Sequence, residues 1–294
     1  MIVHLIDGTY ELFRHFYGIR RFKKTDPPFG AVSGVLRTVA QMLEDGATHI
    51  GVATDHVIES FRNGMWPGYK TGAGIEPVLR AQFVPLEESL LAMGVALWPM
   101  IDLEADDALA SAAHLAAQDK RVEKICIWTP DKDLAQCVVS DRVVQTDRRR
   151  GEIRDAEGVR AKFGVAPEHI PDYLALVGDS ADGYPGIAGL GAKTAARLIN
   201  LYGPLEKFPA DVLSKDNRKY ALLFKDLATL RTDAPLFDDV EELCWRGATS
   251  SFPAMAKKMD DERLATRVQA LGEKLKEQNS TADVKGKRGK GKGK

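Results

Sequence analysis

The 294-residue sequence contains only three cysteines, and it has no apolar stretch long enough to span a membrane. The cysteines, Cys126, Cys137 and Cys244, are scattered and show no zinc-binding spacing, and so small and odd a set suits a reducing compartment. The opening residues MIVHLIDGTYELFR have neither the basic start nor the cleavage site of a signal peptide. These absences predict a soluble cytoplasmic protein that makes no contact with membranes.

The last ten residues contain no acidic residue. The segment 285–294, KGKRGKGKGK, carries six basic residues and no acid, although the whole chain has a formal charge of only −1. A glycine–lysine repeat cannot bury apolar surface, so we predict a disordered basic tail over residues 280–294. Such a tail either keeps the chain soluble or attracts nucleic acid through its phosphates, and the sequence favours neither.

Short apolar runs alternate with helical periodicity up to about residue 160. This alternation predicts an α/β fold with a mostly parallel sheet and helices on both faces. Beyond about residue 164 only helical periodicity remains, which predicts a second, smaller helical region. The predicted strands are 1–6, 49–54, 95–100, 124–129 and 142–146. The predicted helices are 34–46, 76–94, 104–118, 167–179, 191–203, 217–233 and 260–279.

Acidic residues follow four of the five predicted strands. They are Asp7, Asp55, Asp131 and Asp133 directly after strands, and Glu104, Asp106 and Asp107 soon after the third strand. Any one of these acids is most simply explained as a turn residue or a helix cap. Ligands of parallel sheets, however, bind beyond the carboxyl ends of the strands. Four strands that each deliver carboxylates to that edge therefore favour a metal site.

The segment GLGAKTA, residues 189–195, is a glycine hairpin that leads into a helix. Gly189 and Gly191 allow a tight turn, the first helical turn at Thr194 offers free N–H groups to an anion, and Lys193 adds a cation. Because the hairpin lies between predicted helices and not after the first strand, a nucleic-acid phosphate is a better ligand than a dinucleotide. A simple packing corner between two helices is the alternative.

The stretch LIDGTYE suggests a haloacid-dehalogenase-type phosphatase, which would be a different class of enzyme. Such enzymes place a nucleophilic aspartate two residues before the Asp-Gly-Thr aspartate, and this chain has Leu5 there. A leucine side chain cannot attack phosphorus, so this interpretation is disfavoured.

Six motifs together resemble the 5′-nuclease family, which comprises the 5′-nuclease domain of bacterial DNA polymerase I, the free-standing 5′–3′ exonucleases and the flap endonucleases. The resemblance covers about residues 2–240, with the motifs in the family's order. The motifs are LIDGTYELFRHFYG, SFRNGMWPGYKTG, LEADDALA, TPDKDLAQ, VGDSADGYPGIAGLGAKTA and ALLFKDLATLRTD. No polymerase sequence follows, so we expect a stand-alone member.

The resemblance implies a PIN-like nuclease domain over 1–163, with an arch at about 62–92. It also implies a helical DNA-binding region over 164–279 of the helix–three-turn–helix type, with a helix–hairpin–helix-like motif at 186–200. The expected activity is metal-dependent hydrolysis of DNA at 5′ ends or flaps, leaving 5′-phosphates, by a monomer that acts in replication or repair. A module of the same fold that binds DNA structures with weak or lost catalysis is the alternative.

The family holds two divalent ions on acidic residues, and every position that we can match is filled here. By resemblance, Asp7, Asp55, Glu104 and Asp106 surround the first ion, Asp131, Asp133 and Asp182 surround the second, and Asp107 and Asp179 act through water. Oxygen ligands without histidine or cysteine suit Mg²⁺ or Mn²⁺. A monovalent cation at the hairpin 186–194 is a further expectation.

Three cations match basic positions of the family. Lys70 corresponds to a lysine at the base of the arch that reaches the reacting phosphate, and Arg14 and Arg62 correspond to residues near the bound strand. The resemblance thus implies catalytic roles for Lys70 and Arg14 and DNA binding by Arg62. The chain also departs from the family. Ala73 stands where a second basic arch residue is usual, and Ala181 and Gly183 replace two small polar residues.

Overall fold

A computed structural model describes residues 1–20 and 28–289, with side chains described up to residue 277. Its centre is a six-stranded sheet of order β3-β2-β1-β4-β5-β6, in which the first five strands are parallel and β6 is antiparallel to β5. The strands are β1 (Ile2–Asp7), β2 (His49–Asp55), β3 (Ala96–Met100), β4 (Lys124–Trp128), β5 (Val143–Asp147) and β6 (Glu152–Arg154). All five predicted strands are confirmed, whereas β6 was not predicted.

Eleven α-helices lie within the described residues. They are α1 (Gly8–Arg20), α2 (Gly30–Glu44), α3 (Pro77–Arg80), α4 (Phe83–Ala92), α5 (Ala105–Gln118), α6 (Ala156–Phe163), α7 (Ile170–Val177), α8 (Ala192–Tyr202), α9 (Lys215–Ala228), α10 (Phe252–Lys258) and α11 (Glu262–Gly289). The short helices α6 and α10 were not predicted, nor was α1. The predicted helix 76–94 is two helices separated at 81–82. Among residues 1–20 and 28–289, no helix combines the length and apolarity that a bilayer crossing requires.

Helices cover both faces of the sheet, as the alternating pattern predicted. On one face α2 buries Val32, Val35, Leu36 and Val39, which recur at helical spacing. On the other face the alanine-rich side of α5 packs on β1 and β4. Small side chains allow this helix to approach the strands closely, which matters because α5 carries part of the candidate site.

The predicted helical region 164–279 is divided between two cores. Helices α7, α8 and α9 form a core of their own around Leu174, Ile199 and Phe224. The later helices α10 and α11 instead pack through Phe252 and Val268 against α2 and α4. Helix α4, which lies within the predicted arch segment 62–92, is therefore a core helix.

The carboxyl-terminal prediction differs from the structure over part of its length. Helix α11 continues to Gly289, so the backbone of residues 280–289 is helical where we predicted disorder. Once a helix is nucleated, each added residue contributes one backbone hydrogen bond, and α11 begins on residues packed against the core. The rest of the predicted tail, 290–294, lies outside the described residues.

Phe252 is 1% exposed and belongs to the core that also contains residues of α2 and α4. Truncating Phe252 therefore tests whether α10 stabilises this core. We expect Phe252→Ala to lower the free energy of unfolding by about 3–5 kcal/mol in urea titrations followed by circular dichroism. Leu201→Ala, at a side chain that is 64% exposed, should change it by no more than about 0.5 kcal/mol. Equal small effects of both changes would show that α10 is not a stabilising part of the core.

Candidate metal centre

The parallel strands bring acidic side chains to one edge of the sheet. Asp7 and Asp55 are the last residues of β1 and β2, and Asp131 follows β4. Glu104 caps the amino terminus of α5, which begins soon after β3. Because all four strands run in the same direction, their carboxyl ends meet, and the predicted convergence of acids at this edge is present in the structure.

The acids at this edge are close enough to repel one another and are poorly hydrated. Burial, with additional repulsion from Asp55 and Asp131, raises the pKa of Asp7 to about 7. Burial and the charges of Asp131 and Asp7 raise the pKa of Asp106 well above its usual range. In the absence of a cation, therefore, these groups retain protons that an exposed aspartate would release.

A second group of acids lies beside the first. Asp133, Asp179 and Asp182 each place a carboxylate oxygen within 4.8 Å of the others, and all three residues are buried. Burial and the charges of Asp131 and Asp182 raise the pKa of Asp133 well above its usual range. Its Oδ1 is buried without a hydrogen-bond partner among the described residues.

These observations test whether the residues suit a divalent cation. An unpartnered buried oxygen costs free energy unless something binds it, and carboxylates that repel each other are stabilised by positive charge between them. The donor set consists of oxygen atoms only, which favours a hard cation such as Mg²⁺ or Mn²⁺. The residues present therefore fit the ions that the resemblance implies.

Lys70 bridges the two groups of acids. Its Nζ lies 2.8 Å from Glu104 Oε2 and 3.0 Å from Asp182 Oδ1. Although burial opposes it, the charges of Lys70 and Arg62 lower the pKa of Glu104. Lys70 therefore lies among the acids, and its predicted contact with a phosphate stays a prediction.

A second lysine at the site was not predicted. Lys132 Nζ lies 2.6 Å from Asp179 Oδ2, and so it faces the second group of acids as Lys70 does. The signal was available in the sequence, because Lys132 stands between Asp131 and Asp133 in TPDKDLAQ. A single lysine among acids is usually a solvated charge, which is why the motif alone did not reveal its pairing.

Arg62 does not lie where a DNA-contacting residue would, and this corrects the prediction. Its side chain is 1% exposed, and its guanidinium donates two hydrogen bonds of 2.7 Å to the two oxygens of Asp107. It also donates to Glu104 Oε1 and to the carbonyls of Leu227 and Thr229. A guanidinium with all these partners joins the start of the arch segment to α5 and to the end of α9.

Asp107 is likewise occupied by protein partners. Besides Arg62, it accepts hydrogen bonds from the backbone N–H groups of Glu104 and Arg231, and it is completely buried. The capping interpretation of the sequence is therefore correct for Asp107, whereas Asp106, one residue earlier, faces the other acids. The expectation that Asp107 serves a metal is not supported by this geometry.

Arg14 lies on α1 outside the acidic groups. Its guanidinium donates to both oxygens of the buried Glu11, at 3.0 and 2.6 Å, and it also contacts His15. Arg14 lines a groove of about 1020 Å³ together with the basic side chains of Arg37 and Arg148. The structure thus places Arg14 beside a basic surface and not among the carboxylates.

The predicted hairpin is exposed and leads directly into a helix. Gly189 has a φ of +83°, a backbone conformation that favours glycine, and Gly191 is the residue immediately before α8. Lys193 is exposed and Thr194 is half-buried in the first turn of α8. The structure brings none of these four residues into a described contact with the acids, although Asp182 precedes the hairpin by only a few residues.

The difference from the family motif at Gly183 has a structural reason. Gly183 has a φ of +85°, and a Cβ atom there would lie 1.9 Å from the carbonyl oxygen of Gly68. The indole N–H of Trp66 donates to the Gly183 carbonyl, and the Lys70 N–H donates to the Asp182 carbonyl. Glycine at position 183 therefore allows the base of the arch to approach the loop that carries Asp179 and Asp182.

Comparisons with known proteins agree with this fold. The model of the 5′-3′ exonuclease N-terminal resolvase-like domain matches residues 2–164, and that of the 5′-3′ exonuclease C-terminal SAM fold matches residues 165–251. Since these two models together match most of the sequence, the chain belongs to the 5′-3′ exonuclease family.

Two curated relatives illustrate the range of this family. DNA polymerase I of Pseudomonas aeruginosa is 34% identical over 259 residues, which are 81% of this chain but only 28% of that protein. A 5′-3′ exonuclease of Buchnera aphidicola is 32% identical over 248 residues, which are 78% of this chain and 81% of that protein. The chain therefore spans less than a third of the polymerase that it matches and most of the exonuclease.

Solved structures confirm the fold. The T5 D15 protein co-crystallised with metal ions gives a TM-score of 0.61 at 19% identity, covering 88% of this chain and 98% of that one. The T5 D15 flap endonuclease in a complex with DNA and metal ions gives a TM-score of 0.55 at 17% identity, covering 94% of this chain and 100% of that one. The predicted mostly parallel, PIN-like sheet with a carboxyl-terminal helical region is thereby confirmed.

The raised pKa of Asp7 predicts how stability depends on pH in chelator. Between about pH 4 and pH 7 the folded state holds a proton that the unfolded chain releases, so the free energy of unfolding falls as the pH rises. Asp7→Asn removes this penalty. At pH values above 7 we expect it to raise the free energy of unfolding of the metal-free protein by on the order of 1–4 kcal/mol.

Urea unfolding in chelator at several pH values measures this difference, which should shrink towards pH 4. Asp141→Asn, at an exposed position away from the acidic groups, is the control and should change little at any pH. A metal-free Asp7→Asn protein that is less stable than the wild type above pH 7 would contradict the proposed repulsion.

The buried pair predicts a structural role for Arg62. Arg62→Met leaves the Asp107 carboxylate without its cation, so we expect a loss of about 3–5 kcal/mol in the free energy of unfolding. The double variant Arg62→Met/Asp107→Asn removes the stranded charge and keeps an acceptor for one of the two backbone N–H groups, so it should regain part of that loss. If Arg62→Met keeps its stability and only weakens DNA binding, the contact with DNA was the correct assignment.

Proposed function

We propose that this protein is a metal-dependent 5′ nuclease that hydrolyses phosphodiester bonds of DNA at 5′ ends and 5′ flaps and leaves 5′-phosphates. One observation carries this proposal, namely the convergence of carboxylates at a single sheet edge beside the buried cluster of Asp133, Asp179 and Asp182, in which one oxygen of Asp133 has no partner. Family membership and the kinship with named 5′-3′ exonucleases support the same activity.

The acids divide into two ligand groups in this proposal. Asp7, Asp55, Glu104 and Asp106 hold one Mg²⁺ or Mn²⁺ ion, and Asp131, Asp133 and Asp182 hold another, with Asp106 between them. Asp179 acts on the second ion through water, and Asp107 is left out because its oxygens are held by Arg62 and backbone N–H groups. When bound, the ions lower the pKa of the attacking water and stabilise the charge on phosphate and leaving group.

The chain's own residues would orient the substrate. The Lys70 ammonium stands between the two acidic groups and, being half-buried, it meets a phosphate there in a site of low dielectric constant. The basic groove beside Arg14 and the exposed hairpin at Gly189, Gly191, Lys193 and Thr194 supply positive charge and N–H groups for the DNA backbone. Arg62 acts as a positioning residue that fixes the arch base.

The proposed partner is DNA in the form of 5′ ends, flaps, nicks or gaps, bound by a monomer in the cytoplasm. A complex of a structural neighbour with DNA and metal ions supports this partner. The Lys/Arg-rich segment at the carboxyl terminus adds sequence-independent attraction to phosphates, which salt should weaken.

A gel assay on 5′-labelled flap, nicked and gapped DNA tests the activity. We expect 5′-to-3′ shortening or flap release with Mg²⁺ or Mn²⁺ and none in chelator. Asp133→Asn should lower the rate by at least about 100-fold, because it weakens a metal ligand. Asp211→Asn, at an exposed position in the helical region, is the matched control and should cut at the wild-type rate.

Binding measurements on the same flap separate the two functions that the sequence left open. Retained DNA binding by Asp133→Asn with lost cleavage supports the nuclease. Tight binding of flap DNA by the wild-type protein without cleavage in either metal would contradict the nuclease and favour a DNA-structure-binding module.

A further inference from the structure

A second group of potential metal ligands lies at the opposite edge of the sheet. His49 is the first residue of β2, and it pairs as an isolated antiparallel bridge with Cys244. Glu241 belongs to the 3₁₀ helix Val240–Leu243, which ends immediately before Cys244. One ligand atom from each of His49, Glu241 and Cys244 lies within 4.8 Å of the other two.

The second feature that suggests a bound ligand is the His49 imidazole. The residue is 6% exposed, and its Nε2 is buried without a hydrogen-bond partner among the residues that the structure describes. The nearest acidic oxygen, Glu241 Oε1, is 3.8 Å away, which is too far for a hydrogen bond. Leaving a buried nitrogen unpaired is unfavourable, so an atom that binds it would stabilise the fold.

The other nitrogen of the ring is already engaged. His49 Nδ1 lies 2.9 Å from the Thr48 hydroxyl. When Nδ1 carries the proton and donates to that hydroxyl, Nε2 presents its lone pair towards Glu241 and Cys244. Histidines that bind metals commonly have their second nitrogen held in this way.

We propose that His49, Glu241 and Cys244 bind a divalent transition-metal ion of the zinc class. One nitrogen, one carboxylate oxygen and one sulfur make three of the four positions of a tetrahedral site, and water is left for the fourth. A thiolate and an imidazole favour such an ion over Mg²⁺. The acidic centre, which has only oxygen ligands, favours Mg²⁺ instead. Two cations lie near this cluster: Arg246, which is 3.7 Å from the other oxygen of Glu241, and the amino-terminal ammonium of Met1, whose charge acts on His49.

This second site is separate from the nuclease centre. His49 begins β2 and Asp55 ends it, so the strand places the two sites about 20 Å apart at a rise of about 3.3 Å per residue. An ion at His49 would join β2 to the segment between α9 and α10, which already packs through Val240 and Leu243. The site is therefore structural, a cross-link between the sheet and the chain returning from the helical region.

Cobalt provides the test, because a thiolate bound to Co²⁺ gives a charge-transfer absorption in the near ultraviolet that oxygen ligands do not give. Co²⁺ is titrated into the full-length reduced protein with excess Mg²⁺ present to occupy the acidic centre. We expect an absorption that saturates at a single Co²⁺ per chain and is displaced by Zn²⁺. Cys244→Ser should abolish it, and His49→Gln should weaken cobalt binding by about 10–100-fold.

The other two cysteines provide matched controls. Cys126→Ser and Cys137→Ser should leave the absorption unchanged, and the second is the stricter control because the Cys137 thiol is buried near Asp106 and Asp133. Circular dichroism shows whether each variant is folded, and Cys244→Ala replaces Cys244→Ser if the serine variant is not. Cleavage of flap DNA with Mg²⁺ should be the same for Cys244→Ser as for the wild type.

Three outcomes overturn this site. They are a wild-type protein without the absorption, an absorption that survives in folded Cys244→Ser, and an absorption lost in Cys137→Ser, which would place the cobalt at the acidic centre. The result is independent of the proposed nuclease function, since the absorption does not depend on whether the protein cleaves DNA.

Discussion

Repulsion between crowded carboxylates at the carboxyl edge of the sheet is the constraint on which this structure depends. Parallel strands β1, β2 and β4 and the start of α5 all end or begin at this edge, so they cannot avoid bringing Asp7, Asp55, Asp106 and Asp131 together. The rest of the molecule must hold them there against their charge. It does so with packed helices on both faces of the sheet and with two lysine ammonium groups, those of Lys70 and Lys132, which offset part of the charge.

Neighbouring acidic residues at the amino terminus of α5 have different surroundings. Asp107 turns back to the N–H of Glu104 and holds Arg62, whereas Asp106 points to the other acids. Successive side chains on a helix project about 100° apart, so neighbouring aspartates can face entirely different surroundings. The motif LEADDALA therefore contains both a helix cap, Asp107, and a metal-binding candidate, Asp106, whose role as a ligand stays a prediction.

Local patterns predicted the strands and the acids at their ends, because apolar runs of five to seven residues and parallel topology are encoded in contiguous sequence. Features that depend on distant partners escaped prediction. The burial of Arg62 requires Asp107 and the carbonyls of α9, and the packing of α10 requires α2 and α4. In the sequence, Gly183 was only a departure from the family motif, and its closeness to Gly68 in the structure explains it. The identity of the ligands at each ion stays a prediction, since chemistry at that level depends on ions as well as on side chains.

One backbone hydrogen bond, the indole hydrogen bond of Trp66 and the contact between Gly68 and Gly183 tie the arch base to the loop of Asp179 and Asp182. A shift of residues 66–70 would therefore also strain the contacts that hold Asp182, including its ion pair with the Lys70 ammonium. In the proposed nuclease, the position of the arch base and that of Asp182, a proposed metal ligand, are therefore mechanically linked.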